Sequence, residues 1–253
     1  MHRAQQLVDS RLSVMSIPKP HLSFMLNGSD HLALEAALTH DAADYFHSGI
    51  VSLGDALRSI EAGLYTWATV KLYYSVFYCC RALLADKHTA ILYFGSTPYQ
   101  LKNMVGGIPQ KLNGTTHKVV LALFAQQFSG NLLVSHQIDS IAPFDWMTDL
   151  REQANYKLSR FVEPDIPTHF KTLAKIGVRK AIGAYVTDKT YMYAFDRDHA
   201  ALAFPLLTLV QTISSLGTAS IVAVKNRTDK SFLQKLLADK QGPFTDLLRF
   251  TTW

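Results

Sequence analysis

Arg81 and His88 stand seven residues apart in one helical stretch, Trp67-Ala-Thr-Val-Lys-Leu-Tyr-Tyr-Ser-Val-Phe-Tyr-Cys-Cys-Arg-Ala-Leu-Leu-Ala-Asp-Lys-His88. At 3.6 residues per turn that spacing is about two turns, which predicts that both point to the same side, roughly 10 Å apart along the axis. A guanidinium is a permanent cation, and an imidazole exchanges its proton near neutral pH. Together they have the chemistry to hold and cleave a phosphodiester. The plainer reading puts Arg81 in a surface or interhelical ion pair and His88 on the dipole at a helix C-terminus.

Other chemistry is sparser. Lys171, Lys175, Arg179 and Lys180 fall on one side of a predicted helix. They form either a solvated face or a stripe for a polyanion. The only cysteines, Cys79 and Cys80, are adjacent, and helix neighbours point about 100° apart, which rules out an ordinary disulfide between them. Their apolar surroundings predict buried, reduced thiols, and no Cys/His spacing suits zinc. Gly106-Gly107 lacks the later Gly-Lys-Ser/Thr of a phosphate loop, and no nucleophile elbow or metalloprotease motif occurs. No cofactor is therefore expected.

The elements that must position these residues are mainly helical. His40 to Ala62 carries Ala42, Tyr45, Phe46, Ile50, Leu53, Leu57 and Ile60 at helical spacing, and Gly63 ends it. Tyr65 to Lys87 follows at once with Val70, Tyr74, Phe77 and Leu84 as a buried stripe. So short a break predicts an antiparallel pair. Residues 1 to about 30 read as an arm with a short helix. Ala90 to Phe94 reads as a strand or an extended connector, and residues 95 to 116, rich in Gly, Pro and Asn, as a long loop. Helices are expected at 117–128, 144–161, 168–186, 198–216 and 229–249, with Pro205 as a kink. The division expected is an arm over 1–30, a bundle over 31–165 and a helical extension over 166–253 packed on the bundle.

The paired aromatic Tyr73-Tyr74, Phe77, and Arg81-Ala-Leu-Leu resemble the HEPN superfamily of small helical bundles. The later segment Leu150-Arg151-Glu152-Gln153-Ala154-Asn155-Tyr156 is similar to that family's late helix. The resemblance implies an all-α, HEPN-like bundle with a loop or short-strand insertion. It also implies RNA binding or metal-independent RNA cleavage in a toxin–antitoxin or phage-defence setting, a homodimer, and an antitoxin or defence-complex partner. In the family's ribonucleases an Arg is followed, after four to six intervening residues, by a His on the late helix. Here Arg81 and His88 keep that spacing on an early helix. Cleavage would use His88 as base on a ribose 2′-hydroxyl and Arg81 against the pentacovalent phosphate. On the late helix Arg151 is followed by Tyr156, a poor proton acceptor at pH 7. That favours the alternative, a non-catalytic interaction module or a structural subunit. Arg151 and Tyr156 are then candidate binding residues, with Lys171, Lys175 and Arg179.

The composition allows these readings. Hydrophobic residues make up 48% of the 253, enough for a real core and against disorder. The net charge of +5 permits a polyanionic partner without requiring one. No run of 18 apolar residues and no leader pattern appear, so a cytoplasmic protein with no membrane partner is expected.

Overall fold

The structure, a computed structural model, describes residues 2–248. In chain order it contains α1 (Arg3–Leu12), α2 (Gly28–Glu61), α3 (Tyr65–Asp86), β1 (Thr89–Phe94), β2 (Thr97–Lys102), β3 (Gln110–Lys111) and α4 (Thr116–Gln127). Then come α5 (Leu132–Ser135), α6 (Pro143–Glu152) with a π-helical turn over Gln153–Lys157, α7 (Lys171–Ile176), α8 (Val178–Thr187), α9 (Met192–Phe195) and α10 (Ala200–Ser215). The chain ends its described part with α11 (Thr218–Arg227), α12 (Lys230–Leu236), the hairpin β4 (Ala238–Asp239) and β5 (Gly242–Pro243), and α13 (Thr245–Leu248). The protein is predominantly α-helical, as the apolar periodicity predicts.

Contacts divide the chain into two compact units: residues 1–46, 80–127 and 215–227, and residues 47–79, 128–214 and 228–253.

In the first unit, α1 is anchored at both of its polar contacts. The Asp41 carboxylate accepts the Arg3 and Ala4 backbone N–H groups at 2.8 and 3.0 Å, satisfying donors that a helix start leaves open. The Gln5 amide pairs with the main chain of Tyr93, donating to its carbonyl (3.1 Å) and accepting from its N–H (2.7 Å). That contact covers the outer edge of the sheet, whose order is β1-β2-β3. The long loop expected over residues 95–116 holds two of the three strands, β2 and β3, with loop segments at 103–109 and 112–115. A two-residue turn at Gly95-Ser96 brings Thr97 opposite Phe94, and the antiparallel register runs back to Thr89 opposite Lys102. Pro98, which signals a break, is accommodated as the second residue of β2. Apolar residues on one face (Ala90, Leu92, Leu101) are buried, and the other face carries Thr89, Gln100 and Lys102.

In the second unit, α2 closes on Gly63, whose φ of 74° only glycine adopts freely. Leu64 N–H donates to Ser59 O (2.8 Å) and Gly63 N–H to Ile60 O (3.0 Å), a Schellman end. The start of α3 follows immediately. Ser75 Oγ donates to Gly49 O (2.9 Å), and Lys71 pairs with Asp55 (2.8 Å), so the two helices run antiparallel as expected. Cys79, in this unit, and Cys80, in the first, are buried thiols, and burial pushes Cys79 up to about 12.

Two long helices expected in the last third are broken. Gly177, with φ 83°, separates α7 from α8 within the predicted 168–186 helix. The predicted 229–249 helix stops at Leu236 and gives way to β4–β5; residue 249 lies outside the described residues. No single helix among the described residues is long and apolar enough to cross a membrane.

Candidate functional site

The cleft with the most suitable lining for a polyanion is in the first unit and measures about 580 Å³. Three pieces of chain build it. Strand alternation sends Gln100 and Lys102 to one face of β2, with Thr89 and Gln110 as their cross-strand neighbours. From α4, Leu123, Gln126 and Gln127 share a face at spacings of three and four. The turn between α3 and β1 contributes Lys87 and His88.

That turn explains where His88 goes. Lys87 N–H and His88 N–H close the helix on Leu83 O and Ala85 O, at 2.9 and 3.0 Å. His88 then adopts φ 61°, the left-handed conformation that redirects the chain into β1. Its carbonyl accepts the Asn103 N–H at 2.8 Å. The exposed His88 side chain therefore stands beyond the helix end, and two-turn alignment with Arg81 does not apply.

Among the described residues no carboxylate lines the cleft. Lys87 Nζ is held by Asp86 (2.7 Å) and the Ser215 carbonyl (3.0 Å). Lys102 is exposed and makes no ion pair among the described residues. The amides are partly committed: Gln127 accepts from Thr89 Oγ1 (3.2 Å) and donates to Lys87 O (3.3 Å). Asn103 is buried, with Oδ1 against His31 Nδ1 at 3.0 Å, and its Nδ2 finds no acceptor. A buried amide N–H without a partner is costly, and a ligand oxygen would remove the cost.

Arg81 belongs to a different place in the same unit. It is buried, its guanidinium carbon lies 4.2 Å from the centroid of the Tyr45 ring, and Nη2 is 3.2 Å from His2 Nε2. Burial and the Arg81 charge hold His2 down at about 4, so His2 is a neutral partner. Burial raises Asp41 beside them. The cavity here is about 10 Å³, too small for a nucleotide. Arg81 thus ties the start of α1 to α2 and α3, and it does not share the cleft of His88.

The remaining expected residues are in the second unit. Arg151 is buried at the end of α6, 4.9 Å from the Tyr73 ring and 5.8 Å from the Tyr156 ring, with Glu152 at 3.4 Å. Tyr156 is exposed on the π turn. Because Gly177 breaks the helix, Lys171 and Lys175 share α7 while Arg179 and Lys180 start α8. Lys171, Lys175 and Lys180 are exposed. Arg179 is committed: it pairs with Asp239, donates to the Gly242 and Pro243 carbonyls, and its guanidinium carbon lies 4.9 Å from the centroid of the Phe244 ring. It fastens the β4–β5 hairpin.

The Asn103 and glutamine lining was missed in sequence reasoning. The alternation Gln100-x-Lys102 and the amides at 126–127 were the available signals. No grouping of three or more His, Cys, Asp or Glu fit for a metal occurs among the described residues.

No family model, curated protein or solved structure matches the chain.

Proposed function

We propose that the chain is a HEPN-like protein that binds single-stranded RNA in the cleft of its first unit, without using Arg81 and His88 as a cleaving pair. The observation that carries this reading is the lining itself. Lys102, His88 and a set of side-chain amides face a cleft with no carboxylate. Lysine supplies phosphate affinity, and amides can meet ribose and base edges. The net charge of +5 supports the same reading, as does the α3 motif that resembles HEPN bundles. Cleavage by the pair is disfavoured because Arg81 is buried against Tyr45 and His2 while His88 lines the cleft alone. The toxin–antitoxin or defence setting, the homodimer and a partner protein rest on the HEPN resemblance.

The test is fluorescence anisotropy with an end-labelled single-stranded RNA at two salt concentrations, in EDTA. Affinity should fall with salt, by a log–log slope of roughly 0.7 per contacted phosphate. The RNA should stay intact. EDTA-resistant cleavage lost in both Arg81→Met and His88→Ala would restore the catalytic pair and defeat this reading.

A further inference from the structure

The second unit contains a pocket of about 480 Å³ that RNA binding leaves unused. Its volume is that of a small-molecule site. One face of α6 and the π turn forms a wall, through Trp146, Asp149, Leu150, Gln153 and Ala154 at helical spacing. Opposite chemistry comes from Asp139 and Asp198, which lie far apart in sequence and line the same space.

The charge pattern is lopsided. Asp139 is neutralised by Arg197 at 2.8 Å. Asp149 and Asp198 have no cationic partner among the described residues. His169 adds no positive charge, since burial lowers it to about 4. Thr69 Oγ1 lies 2.9 Å from the Tyr65 carbonyl and 3.0 Å from His169 Nε2, so the ring is fixed by a hydrogen bond. The lining thus carries three carboxylates against one guanidinium.

The apolar wall is held in place before any ligand arrives. Leu158, Val162 and Pro167 belong to a strap pinned by Glu163. The Glu163 carboxylate accepts both the N–H (2.6 Å) and Oγ1 (2.7 Å) of Thr66 at the start of α3. Phe161 packs edge-on against Trp67.

We propose that this pocket binds an organic cation, an ammonium or amidinium carried on an apolar or aromatic body. The charged head meets Asp149 and Asp198, and the body lies along the Trp146, Leu150 and Val162 wall. An anion of the same shape is excluded by the two uncompensated carboxylates.

Isothermal titration of the full chain with tryptamine, agmatine and spermidine, against indole-3-acetate as the anionic match, tests this. At least one amine should bind saturably, and indole-3-acetate should not bind. Asp149→Asn combined with Asp198→Asn should weaken the amine about tenfold or more. Arg197→Gln frees Asp139 and should tighten it severalfold, a gain that damage to the fold does not produce. Thermal melts of each variant check folding. The proposal is overturned if no amine binds more tightly than about 1 mM. Equal binding of indole-3-acetate, or unchanged affinity in both the double Asn variant and Arg197→Gln, also overturns it.

Discussion

The cleft of the first unit and the pocket of the second are similar in size, about 580 and 480 Å³, and opposite in character. One is lined by lysines, a histidine and amides with no acid. The other is lined by three aspartates and one arginine. Concavity alone therefore says little about what either holds; the sign of the lining charge sorts the ligands. The comparison also shows why a net charge of +5 is a weak guide for the whole chain. Acids gather around one concavity and are absent from the other.

The comparison can be broken most forcefully at Arg81. If it is structural, Arg81→Met should cost about 3 kcal/mol, as loss of one member of a buried charged cluster does. Urea denaturation measures this. The fraction that remains folded should bind RNA as before, and lost binding in a fully folded variant would return Arg81 to the site.

The acid limb of stability comes next. His169 titrates near 4 when folded and 6.5 when unfolded, so the unfolded state takes up its proton first as pH falls. Stability associated with His169 is complete above about pH 6.5 and is lost between there and pH 4. Melting temperatures over that range should decline less steeply in His169→Gln.

Lys102→Glu places a carboxylate in the acid-free cleft. RNA affinity at low salt should fall about tenfold, with a shallower salt dependence. Asp149→Asn in the other unit should leave it unchanged. Matching losses in both variants, read by anisotropy, would erase the distinction between the two regions.

His88→Gly separates fold from ligand. Removing a side chain from a left-handed position should stabilise by up to about 1 kcal/mol, while RNA binding weakens. The smallest effect is expected for Lys171→Glu with Lys175→Glu. Both are exposed on the short α7, and stability should move by only a few tenths of a kcal/mol, with RNA affinity unaffected.

Much of the helical frame was legible. The Gly63 break between two apolar stripes gave the antiparallel α2–α3 pair, because a C-terminal glycine and a 3.6-residue period are local signals. The buried cysteines followed from the same stripe. What failed were inferences that required a helix to continue. Gly177 splits the basic stripe, and Arg179 turns to Asp239, sixty residues away, a partner that no local pattern announces. His88 left the helix through a left-handed turn that histidine rarely takes, so its spacing from Arg81 was misleading. Both concavities draw on distant segments. Asp139, Asp149 and Asp198 converge only in the fold; Trp146 and Leu150 on α6 were the one part visible as a period.

Ultraviolet crosslinking of single-stranded RNA to the full chain, with the crosslinked peptides identified by mass spectrometry, tests the central claim most directly. The account predicts crosslinks in the stretches that line the acid-free cleft, at 87–89, 100–104 and 123–127, and their loss in Lys102→Glu. Crosslinks confined to the acid-lined pocket, at 139–154 or 162–169, would contradict it.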